Sequence, residues 1–415
     1  MVIGSGGREC AIVDALSRSP QVGCIYCAPG NAGTEKIAVN LPIKDTDIGL
    51  LCDFALKEGI DLTVVGPEAA LSAGVVDAFR RKGLLIVGHT AAATRIESSK
   101  EFAKKLMIKY GIPTSGYRSF TDFGKALQYV SKRPFPAVLK YDGLAAGKGV
   151  VIAQDLQEAE EALRSMLLDE TFGKGKVVIE DYLQGPEFSL MCFVRGRQIR
   201  LMRAAQDHKR AFDGDEGPNT GGMGAYTRLP FLSKKDIAYA KKEILQKAAD
   251  AMVQEGCPLS GILYGGLMKT ADGIKVIEFN ARFGDPETEV VLPLLESDIF
   301  DMFQAIASKK ARLPHLDWSD DATLGVVMAS KGYPGAYEKG FAIGGLDKVE
   351  GILTHMGTAT KGNKTVTAGG RVLMCVARAA TLQEAHAKAY GDIQRIKCDN
   401  LFYRNDIAHQ GLKKK

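Results

Sequence analysis

The chain has 415 residues and a formal net charge of +5 at pH 7, from 54 lysines and arginines against 49 aspartates and glutamates. A charge this mild argues against a nucleic-acid-binding protein but suits a small anionic substrate, and the length predicts about two to four domains. No apolar run approaches the roughly 20 residues of a membrane span, and eight irregularly spaced cysteines favour reduced core thiols, so we expect a cytoplasmic protein without a membrane partner.

Residues 1–97 predict an N-terminal α/β domain with a doubly wound parallel sheet. Four short apolar runs, MVIG, CIYCA, LTVVG and LLIVG, alternate with helical stretches near residues 10–18, 48–57 and 75–82. Apolar strands that alternate with helices are typical of parallel sheets, because crossover helices cover both faces.

The turn GSGGRE follows the first apolar run and raises the option of a dinucleotide site. Such a site needs the pattern G-x-G-x-x-G and an acidic residue near the end of the second strand. Gly4 and Gly6 fit, but Glu9 stands at the third glycine position, and the second run ends in Ala-Pro-Gly. The turn therefore disfavours NAD, although its N–H groups and the following helix N-terminus still favour an anion.

After Ser98 the pattern changes, and we predict a central domain over residues 98–312 with a lid over about 115–185. Its helices are expected near residues 100–110, 156–168 and 234–255. Three strand pairs are also expected: PAVLK pairs with GVVIA, a second pair lies within SLMCFVRGRQIRLM, and a third forms the hairpin over ILYGGLMKTADGIKVIEFNARF. A long polar loop is expected over residues 205–226. Residues 313–415 predict a mixed α/β C-terminal domain with a helix near 382–393.

The loop KYDGLAAGKG, residues 140–149, differs from a P-loop. A P-loop needs G-x-x-x-x-G-K-[ST] before a helix, whereas here the glycines are one residue too close, Lys148 precedes a glycine, and strands flank both sides. We interpret the loop as a glycine-rich hairpin whose N–H groups, with Lys140 and Lys148, meet nucleotide phosphates. A surface hairpin with solvated lysines is the alternative.

The segment IKVIEFNARFGDPETE predicts a metal site at the end of a strand. Alternate residues of a strand share a face, so Glu278, Asn280 and Arg282 project together. Carboxylate and amide oxygens suit Mg²⁺, and the guanidinium offers a planar fork to a phosphate or carboxylate. An exposed polar strand face is the alternative interpretation.

Two further polar groups are candidates for nucleotide and substrate contacts. The strand VVIEDYL ends near Glu180, and Glu187 follows seven residues later, so backbone groups and a carboxylate are available for adenine and ribose. In the polar loop, Asp207, His208, Lys209 and Arg210 can hold a charged substrate, although His208 is as well explained by a structural hydrogen bond as by base catalysis.

These motifs together resemble ATP-grasp enzymes, and most closely the phosphoribosylamine–glycine ligase family. The resemblance extends over essentially the whole chain and rests on GSGGRE, APGNAGT, VGPE, KYDGLAAGKGV, QDHKR, GPNTGGMGAY, RFGDPETE and GGRVL. It implies that ATP, with Mg²⁺ or Mn²⁺, drives the joining of glycine to 5-phosphoribosylamine through a glycyl phosphate intermediate. It also implies an ATP-grasp fold for the central domain.

The resemblance also implies roles for individual residues. The ATP-binding residues would be Lys100, Lys140, Gly147, Lys148, Gly149, Glu180, Leu183 and Glu187. The metal ligands would be Glu278 and Asn280, and the catalytic residues Arg282, Asp207 and Lys209. The substrate-binding residues would be Gly4, Gly6, Gly7, Arg8, Glu9, Gly30, Asn31, Gly33, Thr34, Glu68, Asn219, Thr220, Gly221, Asp285, Pro286, Glu287 and Thr288.

One departure from the family pattern is Cys10, where the family usually has histidine; it removes no expected metal or phosphate ligand. We expect an active enzyme with small-molecule substrates, no nucleic-acid partner and a monomeric state, with a weak homodimer as the alternative. The competing functions are another ATP-grasp carboxylate–amine ligase or carboxylase, and a silent nucleotide-binding protein. RFGDPETE and GPNTGGMGAY argue against the first, and retention of the lysines and of Glu278 and Asn280 argues against the second.

Overall fold

The computed structural model of the protein describes residues 1–143, 145, 149–308 and 312–413. All eight cysteines are free and six of them are buried, which confirms the expectation of core thiols. None of the helices formed by the described residues combines the length and apolar character that a membrane span requires.

The N-terminal region forms a five-stranded parallel sheet in the order β3-β2-β1-β4-β5. Its strands are β1 (Val2–Gly4), β2 (Tyr26–Pro29), β3 (Val39–Asn40), β4 (Thr63–Val65) and β5 (Ile86–Val87). Its helices are α1 (Gly7–Ser17), α2 (Ile48–Lys57), α3 (Glu68–Ser72), α4 (Val75–Arg81) and α5 (Ala91–Ser98). From β1 the chain adds β2 and β3 on one side of the sheet and then β4 and β5 on the other, so the predicted doubly wound topology is confirmed.

The next layer is a four-stranded antiparallel sheet in the order β6-β9-β7-β8. It follows α6 (Lys100–Lys109) and consists of β6 (Tyr117–Phe120), β7 (Ala137–Tyr141), β8 (Val150–Ala153) and β9 (Val177–Asp181), with helices α7 (Phe123–Val130) and α8 (Leu156–Leu167). Strands β7 and β8 pair as the predicted hairpin, although Gly147 and Lys148 in its loop lie outside the described residues.

A ten-stranded sheet joins the central and C-terminal regions, because β15 and β18 pair across the predicted boundary near residue 312. The strands of this sheet are β10 (Glu187–Arg195), β11 (Gln198–Leu201), β12 (Ala205–Asp207), β15 (Gly224–Thr227), β16 (Ser260–Thr270), β17 (Gly273–Asn280), β18 (Ala322–Ser330), β19 (Ile352–His355), β22 (Arg371–Ala379) and β23 (Leu401–Phe402). Two separate strand pairs are β13 (Arg210–Phe212) with β14 (Glu216–Asn219), and β20 (Thr358–Lys361) with β21 (Lys364–Thr367). The remaining helices are α9 (Lys234–Tyr239), α10 (Lys247–Gln254), α11 (Glu287–Val291), α12 (Ile299–Ser308), α13 (Leu382–Ile393) and α14 (His409–Leu412). A π-helical stretch, Ala240–Gln246, joins α9 to α10 into the long helix expected there.

The prediction of a long loop over residues 205–226 is wrong. This segment contains strands β12 to β15; β12 lies between β10 and β15 in the large sheet, and β13 pairs with β14. Asn405 also contacts this segment, because its backbone and side-chain N–H groups donate to Asp213. The polar, glycine-rich composition of the segment gave no sign of this pairing, and Asn405 lies 192 residues from Asp213 in the chain.

The turn GSGGRE is stabilised internally by the side chain of Glu9. The Gly6 N–H donates to Glu9 Oε2 at 2.6 Å, and Arg8 Nε donates to Glu9 Oε1 at 2.6 Å. A Cβ at Gly4, whose φ is +125°, would lie 2.5 Å from Glu9 Cγ. The turn therefore needs glycine at position 4 both for its backbone angle and for space.

Gly4→Ala is expected to lower the free energy of unfolding of the N-terminal region by about 2 kcal/mol or more, because the new methyl group displaces Glu9 and strains the backbone. The measurement is the midpoint of thermal unfolding by circular dichroism. Gly23→Ala is the matched control, since a Cβ there meets nothing within 4 Å. Equal midpoints for the two variants would contradict the packing described for this turn.

Candidate active site

Most of the predicted site residues line one cleft of about 680 Å³ between the N-terminal sheet, the four-stranded sheet and the large sheet. Residues from every predicted group line it, including ATP, metal, catalytic and substrate positions. These are Arg8, Glu68, Lys100, Lys140, Gly149, Glu180, Leu183, Glu187, Asp207, Lys209, Asn219, Thr220, Gly221, Glu278, Asn280, Arg282, Asp285 and Glu287.

The other predicted residues that the structure describes lie outside this lining and mostly surround the GSGGRE turn. They are Gly4, Gly6, Gly7, Glu9, Gly30, Asn31, Gly33, Thr34, Pro286 and Thr288. Asn31 shows the difference: its Nδ2 donates to the carbonyls of Ser5 and His355, each at 2.9 Å, and its Oδ1 accepts the Gly33 N–H. Asn31 thus links the N-terminal turn to the C-terminal region, and its predicted contact with substrate stays a prediction.

Part of the cleft lining is apolar and suits a flat aromatic ring. Its walls come from α6, β7, β8, β16 and β17, and β9 ends beside it at Asp181, followed by Tyr182 and Leu183. A strand end offers backbone donors and acceptors at the edge of this pocket. The apolar lining residues are Met107, Val138, Ile152, Met268, Ile277 and Phe279.

A buried ion cluster lies beneath this pocket. Glu180 Oε2 lies 2.9 Å from Lys104 Nζ, and Glu180 Oε1 lies 3.0 Å from Lys140 Nζ, while Ser115 donates to Oε2 at 2.8 Å. Burial would raise the pKa of Glu180, but the two lysines outweigh it and hold that pKa below its ordinary value. The carboxylate of Glu180 is therefore committed to lysines.

Lys104 was not predicted as part of the site. Burial lowers the pKa of Lys104 to about 8, with Glu180 opposing the shift. In the sequence it is one of two adjacent lysines on a helix, so nothing distinguished it from a solvated residue.

Glu278 and Asn280 lie together at the end of β17, as predicted, and Asn280 Nδ2 lies 3.5 Å from Glu278 Oε1. Burial opposes ionisation of Glu278, but Lys209, Lys140 and Lys100 surround it and lower its pKa. An ionised carboxylate next to an amide, facing the cleft, is a hard oxygen donor set that fits a small divalent cation.

Lys209 and Asp207 face the middle of the cleft. Lys209 Nζ forms an ion pair with Glu187, the predicted ribose acceptor, and Glu187 and Asp207 raise the pKa of Lys209 despite its burial. Burial raises the pKa of Asp207 to about 7, with Glu287 and Glu187 adding to the shift and Lys209 opposing it. Asp207 therefore changes its charge near neutral pH.

Glu287 belongs to a buried hydrogen-bond network that the sequence did not reveal. Its Oε1 accepts from Ser189 Oγ at 2.9 Å and from Tyr264 Oη at 2.8 Å. These two hydroxyls also lie 2.7 Å apart. The network fixes the carboxylate of Glu287 on the wall of the cleft, close enough to Asp207 for the two charges to interact.

Arginines from different regions close the substrate end. Arg282 Nε lies 3.5 Å from Glu68 and 3.4 Å from Glu97, which joins the strand end to the N-terminal region. Arg371, on β22, lies 2.8 Å from Asp285 Oδ1 and donates to the Gly221 carbonyl at 2.8 Å. Arg371 was missed, although it stands in the GGRVL motif, because no local pattern connects that motif to the cleft.

This architecture, with its lysine- and carboxylate-lined cleft, is that of an ATP-grasp enzyme, and the match to named relatives makes the chain an ATP-dependent carbon–nitrogen ligase. The chain belongs to the phosphoribosylglycinamide synthetase family, whose N, ATP-grasp (A) and C domain models match residues 1–97, 98–288 and 323–410. The predicted family and the fold class are thus confirmed.

Known relatives extend over nearly the whole chain. The phosphoribosylamine–glycine ligase of Halalkalibacterium halodurans is 49% identical, over 99% of this chain and 97% of the relative. The crystal structure of phosphoribosylamine–glycine ligase from Thermotoga maritima has a TM-score of 0.86 at 33% identity, covering 98% of this chain and 99% of that chain. The biotin carboxylase domain of Hydrogenobacter thermophilus 2-oxoglutarate carboxylase shares the fold alone, with a TM-score of 0.73 at 15% identity, covering 97% of this chain and 91% of that chain.

Proposed function

We propose that this protein joins glycine to 5-phosphoribosylamine through glycyl phosphate, giving glycinamide ribonucleotide, ADP and phosphate. Membership of the phosphoribosylglycinamide synthetase family over the whole chain supports the substrates. The observation that carries the chemistry is that one cleft joins the phosphate-side lysines, the Glu278–Asn280 pair and the carboxylates of Asp207 and Glu287.

In the first step a carboxylate oxygen of glycine attacks the γ-phosphorus of ATP, and the bond to the β-phosphate oxygen breaks, releasing ADP. Lys100, Lys140 and Lys148 neutralise charge on the phosphates. The backbone N–H groups of the glycines at 147 and 149 donate to the phosphate oxygens. Glu278 and Asn280 would hold Mg²⁺ or Mn²⁺, which shields the transferred phosphoryl group when bound.

In the second step the amine of phosphoribosylamine attacks the acyl carbon, phosphate leaves, and the amine loses a proton. The Asp207 carboxylate is the best placed acceptor for that proton, because its pKa of about 7 lies near the working pH of such an enzyme. Arg282 and Arg371 supply positive charge at the substrate end, where anionic intermediates form.

Asp207→Asn is expected to lower kcat about 100-fold and to remove the acidic limb of the pH profile. Because the raised pKa favours the protonated form below about pH 7, wild-type turnover should fall as the pH drops through that value. The measurement is kcat for ADP release between pH 5.5 and 9 (roughly the span that brackets this group).

Glu216→Gln is the matched control for Asp207→Asn, since Glu216 is an exposed carboxylate in the same polar segment. We expect it to keep the wild-type profile. An unchanged acidic limb in Asp207→Asn would refute the role of Asp207 as proton acceptor.

We also propose that the protein is cytoplasmic and monomeric, and that its domain boundaries lie near residues 97 and 312. The sheet continues across the second boundary, because β15 of the central region pairs with β18 of the C-terminal region. A substrate contact for the GSGGRE turn is also part of the proposal, supported by Arg8 and Glu68 at the edge of the cleft.

A further inference from the structure

Residues 404–410 pack along the polar segment that carries Asp207 and Lys209. Arg404 Nη1 lies 2.9 Å from Asp215 Oδ1 and donates to the Arg210 carbonyl at 3.1 Å. Asp406 accepts the Gly214 N–H at 2.9 Å. Charged and backbone contacts thus join two stretches that lie far apart in the chain, since Arg404 and Arg210 are separated by 194 residues.

His208 lies directly between Asp207 and Lys209, and its imidazole connects to the 404–410 segment. The Ala408 N–H donates to His208 Nε2 at 2.8 Å, and a backbone N–H can only donate. Nε2 is therefore unprotonated, so the neutral ring carries its proton on Nδ1, which faces Asp215 Oδ1 at 3.7 Å. Burial lowers the pKa of His208, which favours this neutral form.

The same contact excludes a metal site at this place. His208, Asp215 and His409 bring possible ligand atoms within 4.8 Å of one another. Coordination through Nδ1 of His208 would require an imidazolate, because Nε2 already accepts a hydrogen bond, and the Arg404 guanidinium competes for Asp215. The cluster is therefore a network of hydrogen bonds and ion pairs.

Gln206, on the other side of Asp207, is held by the same segment. Its Nε2 donates to Gln410 Oε1 at 3.0 Å and to the Glu187 carbonyl at 2.7 Å. Its Oε1 accepts from the hydroxyl of Tyr226. Both neighbours of Asp207 in the chain are thus fixed by residues that include the 404–410 segment.

The backbone of Ala408 is itself strained in order to make this contact. Its φ is +67°, in the left-handed region, and its side chain is fully buried. An alanine in this region costs about 1 kcal/mol, so the surrounding contacts must hold it there.

We infer that residues 404–410 are a positioning element of the active site, which sets Asp207 and Lys209 through His208 and Gln206. The catalytic consequence rests on the proposed function, since that function makes Asp207 the acceptor of the proton that the amine loses. His208 is then a positioning residue, and it takes no proton from substrate.

The test is a matched pair of variants at His208. His208→Gln places an amide at the position of Nε2 and can still accept the Ala408 N–H, whereas His208→Asn reaches only the position of Nδ1 and loses that acceptor. For His208→Asn we expect kcat to fall about 10- to 100-fold with KM for ATP within about twofold, and for His208→Gln we expect kcat within about threefold of wild type.

Hydrogen exchange of the backbone amides of residues 205–210 provides a readout that does not depend on the substrates. We expect faster exchange in His208→Asn than in wild type, and wild-type protection in His208→Gln. Equal exchange and equal kcat in the two variants would overturn the inference. If wild-type turnover did not depend on glycine but the expected difference in exchange were observed, the proposed function would be contradicted. The inference that residues 404–410 position Asp207 and Lys209 would still hold.

Discussion

Replacing Glu278 with glutamine is expected to lower kcat by at least about 100-fold, with a thermal midpoint within a few degrees of wild type. Glutamine keeps the shape of the side chain but removes the negative charge that Lys209, Lys140 and Lys100 surround. A divalent cation would lose its anionic ligand and keep only the amide of Asn280. The measurement is turnover as a function of Mg²⁺ concentration, and we expect the half-saturating concentration to rise as kcat falls.

The matched control is Asp272→Asn at the tip of the same hairpin, where the side chain is 82% exposed and contacts Lys275. This variant removes one negative charge from the same pair of strands without touching the cleft, so its kcat and Mg²⁺ dependence should equal those of wild type. If Glu278→Gln behaved like this control at limiting Mg²⁺, Glu278 would have no role in holding the metal.

Arg282→Gln is expected to reduce turnover about 100- to 1000-fold, because it removes the guanidinium that faces the substrate end of the cleft. It also leaves Glu68 and Glu97 without their shared partner, and the loss of this partly buried pair is expected to destabilise the protein by about 1–2 kcal/mol. The measurements are steady-state turnover, the thermal midpoint and the affinity for ADP.

Arg282→Lys separates charge from geometry in this prediction. Lysine restores the positive charge between the two carboxylates but lacks the planar fork, so we expect a wild-type midpoint and an intermediate turnover. The ADP affinity should stay unchanged in both variants, because Arg282 pairs with Glu68 and Glu97 and is not one of the apolar residues that form the base pocket. Wild-type turnover in Arg282→Gln would remove Arg282 from the catalytic machinery.

Secondary structure with a strong local pattern was predictable. The helices at Ile48–Lys57 and Leu382–Ile393 were expected at those positions, and the hairpin of β16 and β17 follows from alternation and a glycine turn. The two-residue strand Val39–Asn40 was not predicted, because it contains no apolar run and is defined only by pairing with β2. Strands β12 to β15 were missed for the same reason: their segment is polar and glycine-rich, and they are defined only by pairing, β13 with the adjacent β14 and β15 with the distant β18.

The candidate site divides in the same way. The row of Glu278, Asn280 and Arg282 was readable, because the period of a strand places alternate residues on one face. Lys104, Tyr264 and Arg371 were not readable, since each joins the cleft only through tertiary packing.

Several side chains that the resemblance placed against ligands are engaged inside the protein. Glu9 caps its own turn, Glu180 is bound by two lysines, and Glu187 is paired with Lys209. A motif identifies which residues gather at a site, but only the packed structure shows which of their side chains already have partners within the protein, as Glu180 and Glu187 do on the wall of the cleft.

The most direct test of the proposed function is the release of ADP and phosphate by the purified protein with Mg-ATP, with glycine and phosphoribosylamine present together or singly. Phosphoribosylamine is generated in the assay from ribose 5-phosphate and ammonia. We predict turnover only when both substrates are present, with one ADP for each glycinamide ribonucleotide formed. Turnover that is indifferent to glycine and phosphoribosylamine would contradict the proposed reaction, and a panel of other carboxylates and amines would then identify the reaction that this cleft catalyses.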